Sequence, residues 1–214
     1  MFRQPLNGVE PGQIAVRRSL ATGTAALLLT SLVVGVPPTA TAEDTSQAAA
    51  AVISEWNEIA QKTLLADTTK AVPENFLYMG FVQAAVYNAV VGIEGRYEPY
   101  RFRSKAPQGA SSQAAAVAAA HKVLLAYSPD AQHADLDTAY AASLAKIPDG
   151  DAEIRGTTFG ELAADTLIKQ RAQDGRNAPI KFTQEPAPGV WRPTPAPTTP
   201  PNLAPFAVPW LGSV

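Results

Sequence analysis

Apolar residues recur along the chain at helical spacing, and five segments stand out. In 45–66, Val52, Trp56, Ile59 and Thr63 repeat at i, i+4, i+7 and i+11, with Ile53, Ala60 and Leu64 beside them. Thr45 or Ser46 is placed to cap this helix. After Pro73, a stripe of Leu77, Phe81, Ala84, Asn88 and Val91 predicts a second helix over 74–93, ended by Gly95 and Pro99. A third helix starts at Ser111 or Ser112 and runs to Tyr127, with Ala114, Val117, His121 and Leu124 on one face. The turn Pro129-Asp130 leads to a fourth, 131–146, that carries Leu136, Tyr140 and Leu144 towards Ile147. Pro148-Asp149-Gly150 is the next turn, with Asp149 or Asp151 as N-cap of a fifth helix over 152–173. Asp174-Gly175 closes it, glycine suiting a left-handed C′ position. No strand pattern competes, and the fold expected is all-α, a bundle of about five helices.

On the fifth helix Gly156, Gly160, Ala163 and Ala164 form a ridge of small residues beside Leu167. Glycine inside a helix costs about 1 kcal/mol relative to alanine. Two of them four residues apart are best explained by a neighbouring helix whose backbone comes close.

The helical domain spans 43–177. From 178 to 214 the periodicity collapses under Pro186, Pro188, Pro193, Pro195, Pro197, Pro200, Pro201, Pro205 and Pro209, which forbid regular helix. This Pro-rich extended segment still carries Trp191, Phe206, Trp210 and Leu211. Such residues are expected to pack on something, here a partner surface outside the chain.

Residues 1–42 read as an export signal. Arg17-Arg18 precede an apolar run over 20–36, and Ala40-Thr41-Ala42 offers a small-residue cleavage site before Glu43-Asp44. The paired arginines point to the twin-arginine route, although the match is loose. A retained N-terminal anchor is the competing reading, since the run is close to the roughly 20 residues a span requires. Past Glu43 no segment is expected to be long and apolar enough to cross a membrane.

Composition narrows the function classes. The 214 residues carry a formal net charge of −2, which gives no reason to expect nucleic acid or an anionic membrane surface as partner. With no cysteine there is no disulfide framework, thiolate metal site or cysteine nucleophile. Of the two histidines, His121 shares a stripe with Val117 and Leu124 and reads as a buried or half-buried core residue. His133 sits among Asp130, Asp135 and Asp137 at a polar helix start, where carboxylates are favoured by the dipole alone. Glu55 and Glu58 share a face with Asn57, Gln61 and Lys62 around them, which reads as solvated. Asn88 is polar on an apolar stripe, and buried amides are hydrogen-bonded; it is expected to tie its helix to a neighbouring helix or loop. Lys181 and Arg192-Pro193 read as solvated cations in an irregular tail. No Gly-rich phosphate loop, Gly-x-Ser-x-Gly elbow or His-Glu-x-x-His occurs.

Several segments in order carry a resemblance: Val52-Ile53-Ser54-Glu55-Trp56-Asn57, Ala84-Ala85-Val86-Tyr87-Asn88-Ala89-Val90, Tyr97-Glu98-Pro99-Tyr100, Ile147-Pro148-Asp149-Gly150, Arg171 with Asp174-Gly175, and Pro188-Gly189-Val190-Trp191-Arg192-Pro193-Thr194-Pro195. Together they resemble the N-terminal half of bacterial vanadium-dependent haloperoxidases and their relatives in the type-2 phosphatidic-acid-phosphatase superfamily. The resemblance implies an all-helical fold, and for a complete family member a vanadate or phosphate site. There the oxyanion is gripped by a Lys ahead of an Arg-Pro, a Pro-Ser-Gly-His loop and a later Ser-Arg with a downstream His. None of these occurs here: Lys181 and Arg192-Pro193 are spaced too widely, no Ser-Gly-His exists, and no His follows His133. No catalytic, cofactor-binding or metal residue is therefore assigned, and no cofactor is expected on this chain. Halide oxidation and phosphate-ester hydrolysis both remain open as the ancestral activity. The expected partner is a C-terminal catalytic half, from a truncated or split gene, or a second copy of the chain. The alternative is a secreted, non-enzymatic helical interaction module that uses its Pro-rich tail.

Overall fold

The computed structural model describes residues 42–185, 187–192, 194–195, 203–204 and 207–214. The export-signal reading of 1–42 and the expectations for Phe206 and for most tail prolines lie outside the described residues, apart from Ala42 itself. Five α-helices follow in chain order: α1 Ala42–Ala66, α2 Val72–Glu94, α3 Ser112–Tyr127, α4 His133–Leu144 and α5 Asp151–Gln170. A two-residue antiparallel pair, β1 Thr194–Pro195 with β2 Leu203–Ala204, and a 3-10 turn, Pro209–Ser213, lie in the tail. The fold is an all-α helical bundle.

Local chemistry sets most of the ends. Pro73 stands in the first turn of α2, where its missing N–H costs nothing. Gly95 closes that helix with φ 66°, its N–H donating to Val91 O at 2.9 Å. Ser111 caps α3 by accepting from the Ala114 N–H at 3.2 Å. In the first turn of α5, Asp151 and Glu153 complement the dipole.

Other ends differ from expectation. α1 begins at Ala42, so Thr45 and Ser46 lie within it and not at its start. α4 begins at His133 after a 3-10 turn, Asp130–Gln132, and stops at Leu144, where Lys146 and Ile147 bond three residues back. The N-cap of α5 is Gly150, not Asp149 or Asp151. α5 ends at Gln170, and Gly175, with φ 88°, serves a later turn. The reason is the Arg171 carbonyl: it accepts from the Arg176 guanidinium and not from a continuing helix.

α3 packs on all four other helices. Its residues Ala114 to Ala120 are buried without exception, as are Val123 and Leu124. The sequence predicts a stripe; the structure buries two turns, 114–120, all round, because alanine lets neighbours approach from every side. Trp56 and Leu64 of α1, Phe81, Val82 and Ala85 of α2, Leu136 of α4, and Phe159 and Leu167 of α5 close over it.

The closest approach is α3 against α5. A Cβ built on Gly160 would fall on the Ala115 carbonyl oxygen and 2.8 Å from the Ala115 Cα; one on Gly156 would fall on the Ser111 carbonyl oxygen. The small-residue ridge is the contact line expected of it.

By length and composition α2 could cross a membrane, which corrects the expectation that nothing after Glu43 could. Its Tyr78, Phe81, Val82, Ala85, Val86, Ala89 and Val91 are buried by the bundle itself, together with the polar Asn75 and Asn88.

Candidate functional site

Asn88 holds the loop that joins α2 to α3. It is 2 % exposed; its Nδ2 donates to Tyr100 O at 3.0 Å, and its Oδ1 accepts from Tyr100 N at 2.7 Å. The amide thus replaces a strand neighbour for one residue of loop. Tyr87 OH donates to Glu98 O at 3.0 Å, and Gln170 Nε2, from the last residue of α5, donates to Arg101 O at 2.8 Å. Phe102 is buried with its ring 5.4 Å from that of Phe159. Arg101 lies in the left-handed region at φ 51°, uncommon for a residue with a side chain. The loop so pinned encloses an open pocket of about 550 Å³ over Val91, Gly92 and Phe102, with Arg101, Arg103 and Lys105 on its rim.

Between α1, α3 and α4 lies a polar belt. The His121 ring stacks on Tyr140 at 4.3 Å and meets Trp56 edge-on at 6.1 Å. Its Nε2 is 2.8 Å from Asp137 Oδ1. Trp56 Nε1 donates to Ser143 Oγ at 3.1 Å, and Ser143 Oγ donates to Glu55 Oε1 at 3.4 Å. Lys146 Nζ reaches both Glu55 oxygens, at 2.8 and 3.0 Å. Glu55 is therefore part of an inter-helix clamp, contrary to the solvated face expected of it. Glu58 fits that expectation: it pairs with Lys62 one turn on, at 2.6 Å with both side chains largely exposed, and the Lys62 hydrogen bond and charge hold its carboxyl below the usual range. A His–carboxylate pair can orient an imidazole as base. The buried hydroxyl of the belt, Ser143, is spent between an indole and a carboxylate, so the belt ties helices together. His133 Nε2 lies 3.4 Å from Ser128 O and 3.9 Å from Asp130; Asp137 goes to His121 instead. Among the described residues no three His, Asp or Glu side chains converge as metal ligands.

A second cluster went unforeseen in the sequence. Arg176 is inserted between α2 and α3, its guanidinium 4.9 Å from the Tyr127 ring centroid, 5.2 Å from Phe81 and 5.6 Å from Tyr78. Tyr78 and Tyr127 stack at 4.8 Å. Arg176 Nε donates to Asp174 Oδ1 at 2.8 Å, and only 13 % and 5 % of these two side chains is exposed. Arg171 adds a second guanidinium over Phe81 at 5.2 Å.

Burial, then the Tyr78 hydroxyl's 2.6 Å bond to Glu74, push the Tyr78 phenol up to about 12. Burial also raises Tyr127 and Tyr140. Above pH 10 the unfolded phenol gives up its proton first, so the unfolded state binds fewer protons and stability falls as pH rises from about 10 to 12. Tyr78 alone accounts for about 2 kcal/mol of that loss. Urea midpoints measured from pH 9 to 12 should therefore fall less steeply for Tyr78→Phe than for the native chain; equal slopes would refute the assignment.

Lys181 and Arg192 are exposed, as expected of solvated cations, and Pro193 lies outside the described residues. Trp191 meets Phe182 edge-on at 5.6 Å. Trp210, expected to be buried only by a partner, is buried within this chain at 7 % exposure, and the Ser213 carbonyl lies where a Cβ on Gly175 would stand. The end of the tail returns to the bundle beside the Arg176 cluster.

Compared with protein-family models, with curated proteins and with solved structures, the chain matches none. Geometry alone must then speak for the sites. The Trp56–His121 belt and the Arg176 cluster are closed on themselves, whereas the pocket at the α2–α3 loop is open and presents charge.

Proposed function

We propose that the chain is the helical portion of an exported haloperoxidase-like or acid-phosphatase-like protein, with the oxyanion-gripping residues supplied from outside positions 1–214. The observation that supports it most is local. Two of the segments that carry the resemblance, 84–90 and 97–100, bond to each other through Asn88 with Tyr100 and Tyr87 with Glu98. These residues therefore act as one structural device, a helix that grips the following loop, which is what a shared scaffold would retain. Export rests on the residues of 1–42. In this role the chain supplies a rigid bundle and performs no turnover itself. Purified protein given vanadate, bromide and peroxide should oxidise no bromide above a protein-free blank, and should not hydrolyse p-nitrophenyl phosphate. Vanadate-dependent turnover by homogeneous protein would overturn the reading.

A second reading, a secreted interaction module, is favoured by one observation: Trp210 is buried in its own chain and Ser213 lies on Gly175. A tail that closes on its own bundle needs no missing half to cover it. Hydrogen exchange on the isolated monomer separates the two readings. Protection over 207–214 comparable to that of α3 supports the module, and fast exchange there supports the portion.

A further inference from the structure

We infer that the pocket at the α2–α3 loop binds a phosphate-bearing ligand, held by Arg101, Arg103 and Lys105. The three cations rim one open volume of about 550 Å³, and among the described residues the one carboxylate on that rim is Glu98. All three are exposed, and among the described residues none of them makes an ion pair. They contribute little to folding, yet the backbone that carries them is fixed with unusual thoroughness. Asn88 takes both polar groups of Tyr100, Tyr87 takes Glu98 O, Gln170 takes Arg101 O, and Phe102 is buried against Phe159. A loop needs no such anchoring to be a solvated connection. Anchoring lowers the ordering cost of binding, since the cations' backbone is already placed. Arg101 holds a left-handed conformation within the same loop, and strain of that kind persists only where the surroundings over-determine it.

Charge selects the ligand class. Three cations against one carboxylate leave a surplus of two positive charges, which a phosphate dianion matches and a monocarboxylate does not. Two guanidinium forks suit the paired oxygens of a phosphate, and Lys105 adds a point charge. Phosphate could come from a small phosphorylated molecule or from an anionic lipid headgroup; the residues that recognise it are the same. This assignment does not depend on the proposed lineage, because it concerns binding without turnover.

The test is amide NMR of the full chain titrated with inorganic phosphate, with chloride at matched ionic strength as control. Vesicles of phosphatidylglycerol in phosphatidylcholine, against phosphatidylcholine alone, form a second arm read by co-sedimentation. Phosphate should shift the amides of 95–105, and the variants Arg103→Gln and Lys105→Gln should each weaken binding about tenfold. Arg101→Asn, chosen because asparagine tolerates the left-handed region, should do the same. Circular dichroism and thermal midpoints of the variants should match the native chain, since among the described residues none of these side chains is paired. Binding to anionic vesicles alone, lost in the same variants, identifies the lipid headgroup as the source and sustains the assignment. If phosphate and chloride shift the same amides equally and the variants sediment like the native chain, or if the responding amides lie outside 95–105, the assignment is wrong.

Discussion

Gly160→Ala is expected to lower the unfolding free energy by about 2 kcal/mol, although alanine is the better helix former. The new methyl group would meet the Ala115 backbone: its carbonyl oxygen directly, its carbonyl carbon and Cα at 2.8 Å. Backbone cannot rotate aside as a flexible side chain would, so α5 must move away from α3 along its length. Overpacking costs typically 1–3 kcal/mol and occasionally more; with three backbone atoms this close the cost lies at the upper end, about 3 kcal/mol, against the roughly 1 kcal/mol that alanine gains in a helix. For a domain of this size the thermal midpoint should fall by roughly 4–8 °C. Gly156→Ala should act in the same direction, because its methyl would press on Ser111, the residue that caps α3. Gly80→Ala is the internal control. It sits in α2 with nothing within 4 Å of the added carbon, so only the propensity gain remains and the midpoint should rise slightly. A neutral or stabilising Gly160→Ala would show that the two helices are not in backbone contact.

That ridge could be read from sequence because interior glycines carry a helical cost that only packing offsets. The five helices were legible for a related reason: Val52, Trp56 and Ile59, or Leu77 and Phe81, repeat with the helical period. α3 is less legible. Seven consecutive buried residues that are mostly alanine offer little contrast between faces, so the pattern shows one stripe where the bundle buries all sides. Asn88 announced itself as a polar residue on an apolar face, but its partner Tyr100 lies in a loop whose path no periodicity records. The role of Glu55 is not legible in the sequence because Ser143, on α4, and Lys146, just past its end, engage it from about ninety residues away. Gly175 fits a helix terminus locally, so the sequence pattern places the end of α5 beyond Gln170. The actual terminus is set by where Arg176 must go. Among the described tail residues no α-helix forms, in keeping with the prolines, but the prolines give no sign that Trp210 finds its burial in the same chain.

Arg176→Met is expected to destabilise the chain by about 3 kcal/mol, more than any other single charge removal in the described residues. The methionine preserves most of the apolar volume between Tyr78, Phe81 and Tyr127, so the loss is mainly electrostatic. Three ring faces lose their cation, each contact being worth about 0.5–1 kcal/mol at exposed sites and more when desolvated. Asp174, 5 % exposed, is left without the guanidinium, and breaking a buried pair from one side costs about 3–5 kcal/mol. The Arg171 carbonyl also loses the donor that turns the chain after α5. Arg176→Lys should cost less, because the charge stays while the fork that reaches both Asp174 and the Arg171 carbonyl is lost. The decisive measurement is a double-mutant cycle with Asp174→Asn, followed by urea unfolding. Asparagine keeps an acceptor for the residue 176 backbone N–H, which bonds Asp174 Oδ1 at 3.3 Å, and removes the stranded charge. The double variant should therefore be more stable than Arg176→Met alone, with a coupling energy above about 1 kcal/mol. Additive losses would mean that Asp174 and Arg176 do not act as a pair. A loss below about 0.5 kcal/mol for Arg176→Met would mean that the guanidinium does not hold the chain after α5 against the aromatic faces of α2 and α3.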